Sequence, residues 1–327
     1  MHTKPPSQAE PGVRRRKRIP TSFKDLTPGN HLKPTRFFYE MVWKGWITKR
    51  TGVSHRPDFP ALHPGDVSLT WIGHASFLVQ VDQLNILIDP NFANWIFLLK
   101  RLRRAGLSIH DLPHIDLVLI THAHFDHFHR ASIRKLPDAF RVAVVPWGMG
   151  DLARGLGFAR IIELKWWETF EYMGARITLT PSQHWGARMI HDEHRGFGGY
   201  MIEQHGRTIY HAGDSAYSPC FKEIGARLKP EIALLPIGAY YPESFRRVHM
   251  GPDEALKVFQ ELGSQWLVPM HYGTFRLSFE SLDEPLRWLK QLVEEHHLQT
   301  HLRVLTEGHP QVFPALNPPH EVPSPKE

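Results

Sequence analysis

The run Thr121-His122-Ala123-His124-Phe125-Asp126-His127-Phe128-His129 places His122, His124, Asp126 and His127 within six positions, and all four can bind a metal ion. It follows Ile115–Ile120, an apolar stretch with the length and texture of a buried strand. A strand holds its last residues rigidly while the turn behind it lets side chains converge. His122 and His124 could therefore grip one cation while Asp126 and His127 reach a second. The chain contains 23 histidines, and a lone histidine is more often a surface or core residue than a ligand. A His-x-His-x-Asp-His run directly behind an apolar strand is a far tighter condition, and it predicts metal binding without naming the reaction.

Two metal sites need more ligands than one motif supplies, and three further residues stand at the ends of expected strands. His184 follows 176–180, Asp214 in Ala212-Gly213-Asp214-Ser215 follows 207–211, and His271 follows 266–270. Cys220 is the single cysteine, so neither an intramolecular disulfide nor a thiolate cluster can form. The ions must be held by imidazole and carboxylate, which suits zinc best and iron or manganese next.

The elements that would position these residues are short strands. Val67–Ile72, Phe77–Val81 and Leu84–Ile88 read as a β-meander, with a tight Asp82-Gln83 turn in the last pair. Further strands are expected at 142–145, 160–164, 176–180, 198–204, 207–211, 232–236, 266–270 and 302–305. The clearest helices are 252–262, opened by Pro252-Asp253-Glu254, and 282–297, where Leu282, Leu286, Leu289 and Leu292 keep helical spacing. Strands that outnumber and alternate with helices predict an α/β fold of two sheets layered between helices.

With 327 residues and 42% apolar content, the chain has ample material for a globular core. No stretch approaches the roughly 20 apolar residues of a spanning helix. Arg14–Arg18 is followed by Ile19-Pro20-Thr21 and not by an apolar segment, so neither a secretory nor a twin-arginine signal is expected. Four regions are expected: a disordered basic tail (1–30), an aromatic arm packed on the core (31–66), the catalytic domain (67–313) and a proline-rich tail (314–327). Phe92–Leu99, followed by Lys100, Arg101, Arg103 and Arg104, sets an apolar surface beside a basic one. It reads either as a core segment with a charged exit or as an interfacial element that meets lipid.

The order His-x-His-x-Asp-His, then His, Asp and His resembles the metallo-β-lactamase superfamily. The resemblance implies an αββα sandwich with a binuclear zinc site at one edge. It puts one ion on His122, His124 and His184, the second on Asp126, His127 and His271, and Asp214 between them. From about Val67 to Gly308 the chain more closely resembles the N-acylphosphatidylethanolamine-hydrolysing phospholipase D branch. That likeness is carried by Trp71-Ile72-Gly73-His74-Ala75, Asp89-Pro90, Trp166-Trp167-Glu168, Pro181-Ser182-Gln183-His184-Trp185, Pro236-Ile237-Gly238-Ala239-Tyr240 and His271-Tyr272-Gly273-Thr274-Phe275. The arm before Val67 and the Phe92–Leu99 stretch depart from the pattern.

Two cations about 3.5–4 Å apart can share a water and lower its pKa toward about 7, which supplies a bridging hydroxide as nucleophile. On this expectation Asp126 and Asp214 are catalytic as well as ligating. The resemblance places Asp89 beneath the ligands as an orienting carboxylate, a role His74 could share, and His249 near the substrate phosphate. Tyr240 and Tyr241 either bond substrate or line the pocket. The expected activity is zinc-dependent phosphodiester hydrolysis of phospholipase D type, yielding phosphatidate and an N-acylethanolamine. A small-molecule lactonase or cyclic phosphodiesterase is the alternative. Partners would be a phospholipid or other phosphodiester and a peripheral membrane surface but no nucleic acid, with the protein cytoplasmic or on the inner membrane face. A net charge of +6 suits an anionic interface.

Overall fold

The computed structural model describes residues 34–137, 141–189, 192 and 194–315. The Arg14–Arg18 run, the 1–30 tail and the chain beyond residue 315 lie outside the described residues. The meander is present as β1 (Val67–Gly73), β2 (Ser76–Val81) and β3 (Leu84–Ile88), with Asp82 turning the last hairpin at φ 50°. A two-stranded hairpin follows, β4 (Trp95–Ile96) and β5 (Leu99–Lys100). β6 (Leu117–Leu119), β7 (Arg141–Pro146) and β8 (Phe158–Leu164) then extend the first sheet in parallel from β3.

The second sheet runs from β9 (Thr169–Tyr172) through β10 (Ala175–Thr180), β11 (Gly199–Gln204) and β12 (Arg207–His211) as antiparallel neighbours. β13 (Ile232–Pro236) and β14 (Trp266–Met270) complete it in parallel. The last strand, β15 (Pro310–Phe313), returns to the first sheet beside β1. The expected strand at 302–305 is absent. Leu302 makes a single bridge to Leu267, after which the chain turns at Gly308 and pairs eight residues later than its apolar pattern implied. β1 offered an open edge there, whereas 303–305 had only one anchored contact.

Alternation along each strand explains the layering. Leu117 and Leu119 of β6 face the core between the sheets, while Val118 and Ile120 face outward with Phe128, Ile133, Met149 and Ala153. That outer face is covered by the short helical turns Arg130–Ile133 and Gly150–Ala153. The other face carries α1 (Cys220–Leu228), α2 (Pro252–Leu262) and α3 (Glu284–Glu295), the last two at the sites their spacing predicts. Phe221 and Ile224 of α1, and Leu256 and Phe259 of α2, bury one stripe each. Gly263 ends α2 at φ 66°, a left-handed stop that favours glycine. The result is an αββα sandwich.

The sheets are tied to each other by buried polar contacts as well as by packing. Tyr200 on β11 donates its hydroxyl hydrogen toward the carbonyls of Ile120 and Val144 across the core, at 3.0 and 3.1 Å. Within the first sheet β1, β3 and β6 run the same way, and within the second β10, β12, β13 and β14 do so. Consequently the carboxyl ends of these strands, β13 apart, carry the residues singled out above: His74, Asp89, the 122–127 run, His184, Asp214 and His271. Among the described residues no helix is long and apolar enough to cross a membrane.

Candidate metal centre

Three non-glycine residues of this edge hold left-handed backbone: His74 at φ 59°, Asp89 at φ 45° and His271 at φ 58°. Such conformations are costly for side-chain-bearing residues and persist where surrounding structure over-determines them. Each follows a strand directly and turns the chain sharply, so the side chain points into the cluster and not along the sheet. Gly213, at φ 62°, does the same before Asp214; a Cβ there would lie 2.8 Å from the Gly198 carbonyl oxygen.

Two groups of donors converge. His122, His124, His184 and Asp214 bring ligand atoms within 4.8 Å of one another, and so do His74, Asp126, His127 and His271. A third set, Asp214, His249 and His271, overlaps both. In the first group His122 Nε2 is 2.8 Å from His124 Nδ1, which is 3.2 Å from His184 Nε2. Ligands about 2.0–2.1 Å from a tetrahedral zinc stand about 3.3 Å apart, so this spacing is close to that of a coordination shell. Asp214 Oδ2 lies 3.1 Å from His271 Nε2 and 3.2 Å from His127 Nε2, and 3.8 and 3.9 Å from the Nε2 atoms of His184 and His122. One carboxylate oxygen therefore faces both groups. All seven residues expected as ligands are brought together, and the structure adds His74 and His249 at their margins.

Hydrogen bonds on the far side of each ring decide which nitrogen is free. His127 Nδ1–H donates to Asp89 Oδ2 at 2.7 Å, and His184 Nδ1–H donates to the Val248 carbonyl at 2.9 Å. His122 Nδ1 lies 3.0 Å from the Thr121 hydroxyl, which itself donates to Asp89 Oδ2 at 2.6 Å. These bonds leave all three Nε2 atoms pointing inward, the arrangement metal-ligating imidazoles require. Asp89 is fully buried and also accepts the Thr121 backbone N–H at 2.8 Å, so it organises two ligands rather than standing in the cluster itself. His74 Nε2 is 3.0 Å from Asp126 Oδ2.

Several buried polar atoms of the cluster make no well-aligned hydrogen bond: His127 Nε2, His271 Nε2 and Asp214 Oδ1 among them. Buried polar groups are nearly always satisfied. Orphans that converge on common points, from imidazole nitrogens and carboxylate oxygens, fit cations held by nitrogen and oxygen. Electrostatics agrees. Burial, reinforced by neighbouring imidazoles, holds His122 and His184 well below the usual histidine range, and burial holds His124 at about 4. For His127 and His271 burial acts in the same direction but is outweighed by Asp214 and Asp126. His127 is raised well above its ordinary value and His271 to about 9. That half of the centre demands positive charge, from protons or from a cation.

The remaining expected residues separate by position. His249, buried beside the cluster, has its Nδ1 3.7 Å from Asp214 Oδ2 and no hydrogen-bond partner. Tyr240 is committed elsewhere, donating to Glu284 at 2.7 Å, whereas Tyr241 is exposed. Other supports were not foreseen. Asn91 donates to the Asp126 carbonyl at 2.8 Å, and Arg188 donates to those of Ala123 and Phe128 at 2.7 and 2.9 Å, pinning the ligand loop. His211 donates from Nε2 to the Ala75 carbonyl at 3.0 Å and accepts the Gly213 N–H on Nδ1 at 3.1 Å, which fixes the turn carrying Asp214. Only their place next to a motif, as for Thr121 and His211, could have signalled these residues. Their partners stand tens of positions away.

The sequence profile described as "Beta-lactamase superfamily domain" matches residues 84–272, more than half of the chain. A metal-dependent hydrolase of Methanopyrus kandleri is 34% identical over 245 residues, covering 73% of this chain and 97% of that protein. An N-acyl-phosphatidylethanolamine-hydrolyzing phospholipase D of Caenorhabditis elegans is 30% identical over 246 residues, 69% of each chain. Among solved structures, a metallo hydrolase of the archaeon Ignicoccus hospitalis superposes with a TM-score of 0.59 at 27% identity, over 76% of this chain and 98% of that one. The ligand geometry, the sandwich and these relatives together make the chain a member of the beta-lactamase superfamily, a metal-dependent hydrolase with the metallo-β-lactamase fold.

Proposed function

We propose that this chain hydrolyses phosphodiesters at a two-zinc centre, by phospholipase D type cleavage of N-acylphosphatidylethanolamine to phosphatidate and an N-acylethanolamine. The observation that carries the reading is Asp214 Oδ2, which faces His127 and His271 on one side and His122 and His184 on the other. His122, His124 and His184 would hold one ion, Asp126, His127 and His271 the other, with Asp214 shared. Bound there, the ions supply Lewis-acid activation of water and charge stabilisation at the phosphoryl oxygens.

The chain's own residues do the rest. Asp89 and Thr121 keep His127 and His122 in the tautomers that face inward. Burial pulls His249 down to about 4, so at neutral pH it is an uncharged imidazole, placed to donate a hydrogen bond to a phosphoryl or departing oxygen. The phospholipase D relative and the chain's +6 charge support a lipid phosphodiester over a neutral small ester.

The test is product release by metal-analysed protein from N-acylphosphatidylethanolamine in mixed micelles, with phosphatidylcholine alongside and chelator as control. Chelator-sensitive release of N-acylethanolamine is expected. Lipid silence in protein holding two metals, with turnover of lactones or cyclic phosphodiesters, would assign the small-molecule reading in its place.

A further inference from the structure

The β4–β5 hairpin is amphipathic in a way the sandwich does not require. Ile96 and Leu99 pack inward with Phe275, Phe125 and Leu277, while the two-residue tip, Phe97-Leu98, stands in solvent. Phe97 is 73% exposed and sits at φ 51°, a conformation that a turn ordinarily gives to glycine or asparagine. The tip is braced by the helical segment that ends in Lys44–Ile47: Trp46 Nε1–H donates to the Leu98 carbonyl at 2.9 Å, and its ring meets Trp95 edge-on at 6.3 Å. Lys100 Nζ closes the junction on the carbonyls of Trp46 and Thr48.

Trp43, Trp46, Ile47, Trp95, Phe97 and Leu98 are therefore all exposed along one braced face among the described residues. Lys100, two residues past the tip, and Arg50 donate to carbonyls of this junction and form no ion pair with a described carboxylate. Tryptophans flanking a protruding apolar tip, with cations set behind, match the layering of a bilayer interface: acyl chains, headgroup boundary, phosphates. A projecting tip enters a fluid layer without a matched pocket, which a protein partner would have to supply. The face also adjoins the metal centre, since the Phe97 ring packs on Phe125 at 4.5 Å and Phe125 lies between His124 and Asp126.

We propose that the Phe97-Leu98 tip, with Trp95, Trp46 and Ile47, docks this chain on an anionic phospholipid bilayer and so sets the loop carrying His124 and Asp126 beside the headgroups. The inference rests on the lipid reading of that site. It is tested by co-sedimenting the metal-loaded full chain with phosphatidylcholine vesicles containing or lacking phosphatidylglycerol, in the absence of substrate. Binding is expected, stronger with phosphatidylglycerol, and Phe97→Ser/Leu98→Ser should weaken it by about tenfold or more. Metal content and hydrolysis of the water-soluble bis(p-nitrophenyl) phosphate should stay within about twofold of wild type, which shows that the variant is folded. Absence of wild-type binding to either vesicle would overturn the proposal. So would equal binding by the variant, or a wild-type dimer in light scattering that the variant dissolves. Vesicle binding is read without turnover, so a chain that binds but cleaves no phosphodiester overturns the reading of the site and not the docking face.

Discussion

Asp89 and His127 share a wholly buried hydrogen bond of 2.7 Å across 38 positions of sequence, and the same carboxylate holds Thr121 through both its backbone N–H and its hydroxyl. One side chain at the end of β3 thus sets the ring of one candidate ligand directly and, through Thr121, that of a second, His122.

Replacing Asp89 by Asn would put an amide donor in place of one of the two oxygens that between them accept three hydrogen bonds. We expect metal affinity or kcat/KM to fall by about 10–100-fold. Metal per chain and steady-state kinetics check this, with far-UV circular dichroism showing that the sandwich persists. An unchanged metal content would remove Asp89 from the support of the centre.

Asp214→Ala and His124→Ala should each deplete bound metal and cut turnover by at least about a hundredfold. Chelating the wild type should lower its Tm, because ions that bind the folded chain alone stabilise it. Elemental analysis with a thermal melt tests both. Wild-type rates in a metal-poor Asp214→Ala protein would refute the site.

Metal uptake should depend on pH with a defined sign. Burial would lower His271, but Asp214 and Asp126 raise it to about 9, and His127 is raised likewise. Below about 9 the metal-free centre therefore holds protons that an ion must displace. Affinity should increase from acid pH up to about 9, with proton release in calorimetry across buffers of different ionisation enthalpy. Uptake without proton release would contradict the arrangement.

Arg101 is fully buried and donates to the carbonyls of Arg103, Asn91 and Ile72 at 2.9, 2.8 and 3.2 Å. Burial lowers its pKa to about 10, which leaves it charged at neutral pH. Arg101→Met would strand the Arg103 and Asn91 carbonyls, while that of Ile72 keeps the Gly106 N–H at 2.9 Å. Destabilisation of about 3 kcal/mol is expected in urea unfolding, and a change below about 0.5 kcal/mol would show that those carbonyls find other partners.

The cluster of candidate ligands was legible in the sequence because these residues follow apolar runs, and strands that share a direction bring their carboxyl ends to one edge. His122, His124, Asp126 and His127 needed only local spacing, while His184, Asp214 and His271 needed the pattern of strand followed by polar residue. The strand at 310–313 was not legible, since its four residues carry little apolar signal and form a strand only because β1 offers an edge. The π-helical turn at Phe38–Trp43 likewise hid its period from a search for regular helical spacing.

Sequence alone thus determined the alternation of buried strands and the chemical types of the donors, because period and residue identity are local properties. Tertiary structure decided which nitrogen of each ring faces inward and that Asp214 faces both donor groups. It also recruited Thr121, Asn91, Arg188 and His211 to hold the centre, and made Phe97 an exposed tip rather than a core residue. Most of these depend on a partner tens of positions or more away, and only the closing of two sheets into one sandwich brings such partners into contact.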